Sequence, residues 1–504
     1  MRHLKSGIAF AWVLLLFGAL AGLETRERPA RLRILHFNDF HGQVEPVVSR
    51  TGEESGGLAR LIGLADARRE AARAEGVETR LVCAGDLFTG TAFSTLFQGD
   101  PEFQVLQKAG LSALTSGNHE WDFGVGTLMR RITGSGIPLL LCNVSAAEPS
   151  HTFWKPWMVA RVGGFAVGFT GVTTPETPTT TAPGNTEGFA FSDPVPALSA
   201  LCGENPGHWD FLVVLSHCGF EQDKRIAKEV KGVGLIVGGH DHKVLETPHV
   251  ENGVPIVQAG DRGRFLGEVE ITLSGASAPA VTGRLLPVTS STGESGEAAA
   301  LLRPYLEKEE AALGAVIGRL PEALSGDRVL LRTGEAPLGD FVADAMKEAS
   351  KAEAAFINGG ALRAGLPAGG VTGRDLYACL PFFDSLTTVL LTGEQIQALL
   401  DRCASMPRED PPGGFLQVSG IEAVYEKGGA RSIRIGGAPL DPARAYRVAC
   451  TQFLLSGGDG LAEFKSGLDA RDYGVSLQEI LRRELARPDL RIPKAGGRIV
   501  RAGD

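Results

Sequence analysis

Residues 32–42 read LRILHFNDFHG, and residues 79–86 read TRLVCAGD. In both, a short apolar run stops at a turn that carries an acid. The pattern recurs in LSALTSGN (111–118), PLLLCNVS (138–145), AVGFTGVT (166–173), DFLVVLSH (210–217) and GLIVGGHD (234–241). Near-continuous apolar runs of this length are what a strand buried on both faces requires. Amphipathic stretches separate them, among them Leu58–Glu75 and Pro101–Lys108, so the rhythm is α/β. Ligands in such sheets bind beyond the carboxyl ends of the strands. Asp39, Asp86, Asn118, His217 and His240 each follow an apolar run and are expected there.

Those positions belong to a larger set of donors. Asp39-Phe-His41 comes first, then Gly85-Asp86, then Gly117-Asn118-His119-Glu120 with Asp122 close behind. Ser216-His217 and Gly239-His240-Asp241-His242 complete it. In D-x-H and H-x-H on an extended chain, alternation puts both donors on one side, where they can grip one ion. The flanking glycines allow sharp turns and an open site. Mixed nitrogen and oxygen donors suit zinc, manganese or iron better than calcium or magnesium. Seven candidates (Asp39, His41, Asp86, Asn118, His217, His240, His242) exceed one tetrahedral site, and carboxylates bridge. Two ions about 3.5–4 Å apart fit the count. A lone histidine at a strand end reads as structural; five segments in this order read as a metal centre.

The rest of the chain frames that centre. Its 504 residues exceed one ordinary core. Hydrophobic residues at 43% and charged residues at 22% are typical of a globular protein, which argues against disorder, collagen and a multi-span membrane protein. A net charge of −9 argues against a nucleic-acid duplex as partner, while a small phosphorylated substrate needs only a local cation site. Arg2 and Lys5, the apolar run Ile8–Leu20 and Ala19-Leu20-Ala21 form a signal-peptide pattern, with residues 1–21 expected to be removed on export to the periplasm or the outside and an uncleaved N-terminal anchor as the alternative. No stable membrane insertion is expected after cleavage. Seven cysteines are too few for a disulfide framework, although Cys202, Cys379, Cys403 and Cys450 could include one bridge. Residues 31–286 form the first expected domain, 287–317 a linker and connecting helix, and 318–502 a second α/β unit.

NDFHG, GDLF, GNHEWD, SHCG and GHDH together resemble the calcineurin-like metallophosphoesterases. FINGGALR (356–363), LPF (380–382), LQVSG (416–420) and FLLSGGDG (453–460) extend the likeness to the 5′-nucleotidase family of exported two-domain enzymes. The resemblance implies an N-terminal four-layer sandwich, two sheets flanked by helices, and a smaller C-terminal α/β substrate-binding domain. It implies that Asp39, His41, Asp86 and His242 hold one ion, and that Asp86, Asn118, His217 and His240 hold the other. His119 matches the catalytic histidine and Asp122 the carboxylate orienting it; Glu120 is a solvated or structural acid. In the second domain Arg332 and Arg363 match cations at the phosphate end, Asn358 and Asp459 the polar positions holding the nucleoside. Phe382 and Phe453 match the rings that sandwich the base, with Phe383 as the alternative to Phe382. Ala361 stands where the family has a third glycine, and Phe383-Asp384 where a Gly-polar turn is usual. Both departures sit beside the substrate pocket.

The expected activity is hydrolysis of nucleoside 5′-monophosphates by in-line attack of a metal-bound hydroxide. Two divalent transition-metal ions serve as cofactors. A related exported hydrolase of cyclic nucleotides, nucleotide sugars or other small phospho- or sulfo-esters is the alternative within the class. A non-catalytic nucleotide- or metal-binding protein is the alternative outside it, and the intact set of polar residues argues against that.

Overall fold

The computed structural model describes residues 29–502 apart from 49–51, 182–183, 276, 383 and 495. The expected signal peptide and Phe383 lie outside the described residues. In the first half two sheets face each other. The five-stranded sheet runs Ala280–Pro287, Phe265–Leu273, Ala30–Phe37, Glu78–Cys83, Leu111–Leu114. The six-stranded sheet runs His249–Glu251, Val254–Val257, Leu235–Val237, Phe211–His217, Phe165–Thr173, Trp157–Val162. Parallel neighbours such as Ala30–Phe37 with Glu78–Cys83, and Phe165–Thr173 with Phe211–His217, bring their carboxyl ends to one rim.

Burial explains the layering. Leu32, Ile34, Val82, Val167, Phe169, Val213, Leu215, Val237 and Val269 form one apolar layer between the sheets. The opposite face of the first sheet meets Leu58–Ala74 and neighbouring helices through Leu35, Phe37, Leu61, Ile62 and Leu81. That of the second meets Pro194–Glu204 and Phe220–Glu229 through Val172, Leu198, Leu212 and Ile226. The first half is therefore a four-layer sandwich, and apolar side chains on both faces account for the unbroken hydrophobic runs.

One segment departs from the sequence reading. Residues 138–145 do not form a full strand; Leu139 and Leu140 make isolated bridges to Leu114 and Lys155, and a short strand covers only Val144–Ala146. Pro138 has no N–H to give a ladder. Beyond it Cys142 N–H donates to Gly171 O, while the Asn143 side chain donates to Thr173 O and Ser192 O at 2.7 and 2.8 Å.

A helix, Gly296–Leu313, leads into the second half. There a five-stranded sheet runs Leu416–Ser419, Ala354–Asn358, Ala445–Thr451, Ser385–Thr392, Leu468–Ser476. Pro337–Ser350 and Leu477–Leu485 cover one face, Gly393–Ser405 the other, each with its own apolar cluster. All seven cysteines are free thiols.

Candidate active site

The rim of the first sandwich is built from loops tied to one another. Asp39 N–H donates to Gly85 O, and His41 N–H to Asp86 O, each at 3.0 Å. Asn38 braces the same turn: its amide donates to Asp39 Oδ2 and to Gly260 O, both at 2.6 Å, and accepts from Ala259 N–H at 2.8 Å. Five of the seven candidate ligands, Asp39, His41, Asp86, His240 and His242, hold φ between 48° and 88°. That left-handed region costs a non-glycine residue on the order of 1–3 kcal/mol and survives only where the surroundings enforce it. Gly117 has to be glycine, since a Cβ there would stand 2.1 Å from Asp86 Oδ1.

The side chains converge. His41 Nε2 and His242 Nε2 lie 3.1 Å apart, with His242 Nε2 3.3 Å from Asp39 Oδ1. His217 Nε2 lies 3.1 Å from Asp86 Oδ2. Donor atoms of Asp39, His41 and His242 fall within 4.8 Å of one another, as do those of Asp86, His217 and His240, and of His41, Asp86 and His119. Asn118 adds a buried Oδ1 with no hydrogen-bond partner among the described residues. The other nitrogen of His41 donates to Thr89 O at 2.9 Å and that of His217 to Ala84 O at 2.7 Å. A carbonyl only accepts, so Nδ1 carries the proton and Nε2 presents a lone pair, the arrangement typical of metal-ligating histidines. The donor set thus fits divalent transition metals.

Electrostatics follow from the crowding. Burial alone would raise the Asp86 carboxyl, but His217 and His119 outweigh it and hold Asp86 well below the usual carboxylate range. Burial pushes His240 down to about 4, with the charge of His217 acting the same way. Beneath the centre Glu120 is fully buried rather than solvated, and its carboxylate accepts N–H bonds from Asp86, Leu87 and Gly117 at 2.9, 2.6 and 2.5 Å. His119 is buried beside the candidate ligands, its Nδ1 bonded to Asp122 Oδ2 at 2.6 Å.

The second half reaches the same rim. The Phe382 ring lies 6.0 Å from the His119 imidazole at 25°, a stacked pair. The Arg363 guanidinium makes no ion pair or hydrogen bond among the described residues; burial, then the charge of Arg262, lowers its pKa, and Asp86 and Asp122 act against that shift. Arg332 is pushed down to about 9, first by burial, then by the nearby charges of Arg363 and Arg328. Asn358 Nδ2 donates to Asp459 Oδ2 at 2.7 Å. Phe453 N–H donates to Asp384 Oδ1 at 3.1 Å. No ring contact joins Phe382 to Phe453 among the described residues. Sequence reasoning passed over Arg328, although R-x-x-x-R at one helical turn was a readable sign, and Asn38 and Asp384, whose roles depend on distant backbone.

Comparison with known proteins accords with this geometry. Residues 32–244 match the calcineurin-like phosphoesterase family, and residues 316–466 the 5′-nucleotidase C-terminal domain. The chain is 30% identical to a 5′-nucleotidase precursor from Thermus thermophilus, covering 94% of this chain and 100% of that one with a TM-score of 0.85. It is 27% identical to a 5′-nucleotidase of Vibrio vulnificus (strain CMCP6), over 85% of each chain. It is 28% identical to the trifunctional nucleotide phosphoesterase protein YfkN of Bacillus subtilis (strain 168), over 93% of this chain but 35% of that longer protein.

Proposed function

This chain belongs to the two-domain 5′-nucleotidase family and is a metal-dependent phosphoric ester hydrolase, and from that premise we propose that it removes the phosphate of nucleoside 5′-monophosphates with two metal ions, outside the cytoplasm. The observation that carries the reading is that Phe382 of the second domain stacks on His119 at the rim of the first. The expected signal peptide supports export, and no helix among the described residues is long and apolar enough to cross a membrane.

In this reading Asp39, His41, Asp86 and His242 would hold one ion, and Asp86, Asn118, His217 and His240 the other. Bound there, the ions would neutralise a dianionic phosphate and make water more acidic. Arg363 and Arg332 hold the phosphate oxygens through planar forks. A water oxygen adds to phosphorus in line with the leaving 5′-oxygen and gives up one proton to solvent, the P–O bond breaks, and the 5′-oxygen takes a proton from His119, which solvent restores. His119, with Nδ1 held by Asp122, has Nε2 available to donate toward that oxygen or a phosphate oxygen. Such help is worth about 10²–10⁴ in rate. Asn358 and Asp459 bind the nucleoside, and Phe453 with the free face of Phe382 stacks on the base.

A phosphate-release screen over nucleotides and simple esters tests this, with metal-stripped protein reconstituted ion by ion. The expected result is hydrolysis of nucleoside 5′-monophosphates, lost together with bound metal in Asp86→Ala. Phe453→Ala should raise KM for the nucleotide several-fold, because stacking contributes about 1–3 kcal/mol per base, and leave a small ester unaffected. Normal turnover with two ions in Asp86→Ala would refute the binuclear site, and equal losses on both substrates would refute the base pocket.

A further inference from the structure

We infer that Phe382, carried by the second domain, is a positioning residue for His119, so that the second domain completes the catalytic group of the first. This rests on reading His119 as the proton-handling residue. The two rings lie 25° from parallel with centroids 6.0 Å apart, the offset-stacked arrangement favoured by aromatic pairs. The imidazole is thereby held in three ways. Its Nδ1 bonds Asp122 Oδ2 at 2.6 Å, its face lies on Phe382, and the His41 ring meets it nearly edge-on at 5.3 Å and 72°. One hydrogen bond alone leaves an imidazole free to tilt about that bond; a ring on its face removes the tilt and keeps water off.

Phe382 is itself fixed from both domains. The side-chain amide of Gln478 donates to Phe382 O at 2.7 Å and to Leu380 O at 2.6 Å. Between them Pro381 O accepts from Thr95 Oγ1 at 3.0 Å, and Thr95 sits on the first-domain helix Ala92–Phe97, directly after the loop that carries Asp86. Arg363 N–H donates to Cys379 O at 2.9 Å, so the same segment locates a phosphate-binding cation. A ring has two faces. With one on His119, the other stays available to a base, so positioning and base stacking are separable by experiment.

The test uses the full-length, metal-loaded enzyme and two substrates, adenosine 5′-monophosphate and glycerol 2-phosphate, which has no ring to stack. Phe382→Ala, Phe382→Tyr and Thr95→Val are made in the parent, and Phe382→Ala also with His119→Ala. Phe382→Ala should lower kcat on glycerol 2-phosphate about 3- to 10-fold, with KM and metal content little changed. Phe382→Tyr should restore it, and Thr95→Val should lower kcat on both substrates in the same direction but less. In the His119→Ala background the Phe382→Ala loss should vanish. The inference is overturned if Phe382→Ala affects only KM for the nucleotide, or if its kcat loss is the same size without His119. Full activity of His119→Ala alone would instead bring down the reading of His119 and this inference with it.

Discussion

Glu102 shows what a single residue owes to its surroundings. It lies in the first turn of Asp100–Lys108 and is fully buried. Burial, the largest influence, raises it from 4.5 to about 7. The folded value lies above the unfolded one, so its favourable contribution is complete below pH 4.5 and is lost as pH climbs through about 7. Glu102→Gln removes this linkage. Melting temperatures should therefore show the variant gaining on the parent between pH 5 and pH 8; a difference independent of pH would refute the shift. The candidate ligands make the converse case. Their identities were plain in D-x-H and H-x-H, whereas the positive φ of Asp39, His41, Asp86, His240 and His242 was not, because loops over 200 residues apart impose it: His240 N–H, for one, donates to Asp39 Oδ1 and Oδ2.

At the scale of elements, the helix Arg328–Thr333 carries Arg332, the candidate phosphate cation, and Arg328, whose guanidinium pairs with Asp410 at 3.3 Å. Its N-terminus is capped by Asp327, whose side chain accepts from Leu330 N–H at 2.8 Å. Its far end is held from below: Gln417 Nε2 donates to Leu331 O at 2.9 Å and to Gly334 O at 2.7 Å. Gly359, in the FINGG stretch, lies against the same carbonyl, and a Cβ there would stand 2.2 Å from Leu331 O. Gly359→Ala should push this helix away and misplace both arginines. Displacing both arginines should weaken phosphate binding by on the order of 1.4 kcal/mol, so KM for a nucleotide should rise about tenfold while bound metal is unchanged. An unaltered KM would mean that the helix does not set the cation positions. The motif was legible in the sequence, but which backbone its glycines accommodate was not.

At the scale of the molecule, the apolar clusters divide. Those of Leu35 and Phe37, of Leu32 and Val167, and of Val172 and Leu212 belong to the first half; those of Phe341 and Ile357, and of Phe356 and Val389, belong to the second. Separate cores make two-state unfolding inapplicable. Ions bound only to the folded first domain stabilise it by mass action, about 2.7 kcal/mol at a hundredfold excess over Kd. Calorimetry should show two transitions, of which a chelator lowers one and leaves the other within about a degree. A single transition, or equal shifts of both, would contradict independent cores.

The sequence by itself determined the α/β class, the order of the polar strand ends and the chemical nature of the centre. Apolar periodicity and residue type are local properties, and each group of candidate ligands lies at the end of its own apolar run. Only the tertiary structure decided which donors meet and at what distance. His41 and His242 are brought to 3.1 Å by the face-to-face packing of two sheets whose strands lie far apart in the chain. The same holds for Glu120, whose burial is set by three amides from two loops, and for Phe382, which faces His119 because Thr95 and Gln478 fix its segment from opposite domains. Such contacts depend on how whole layers dock, and no window of sequence contains both partners.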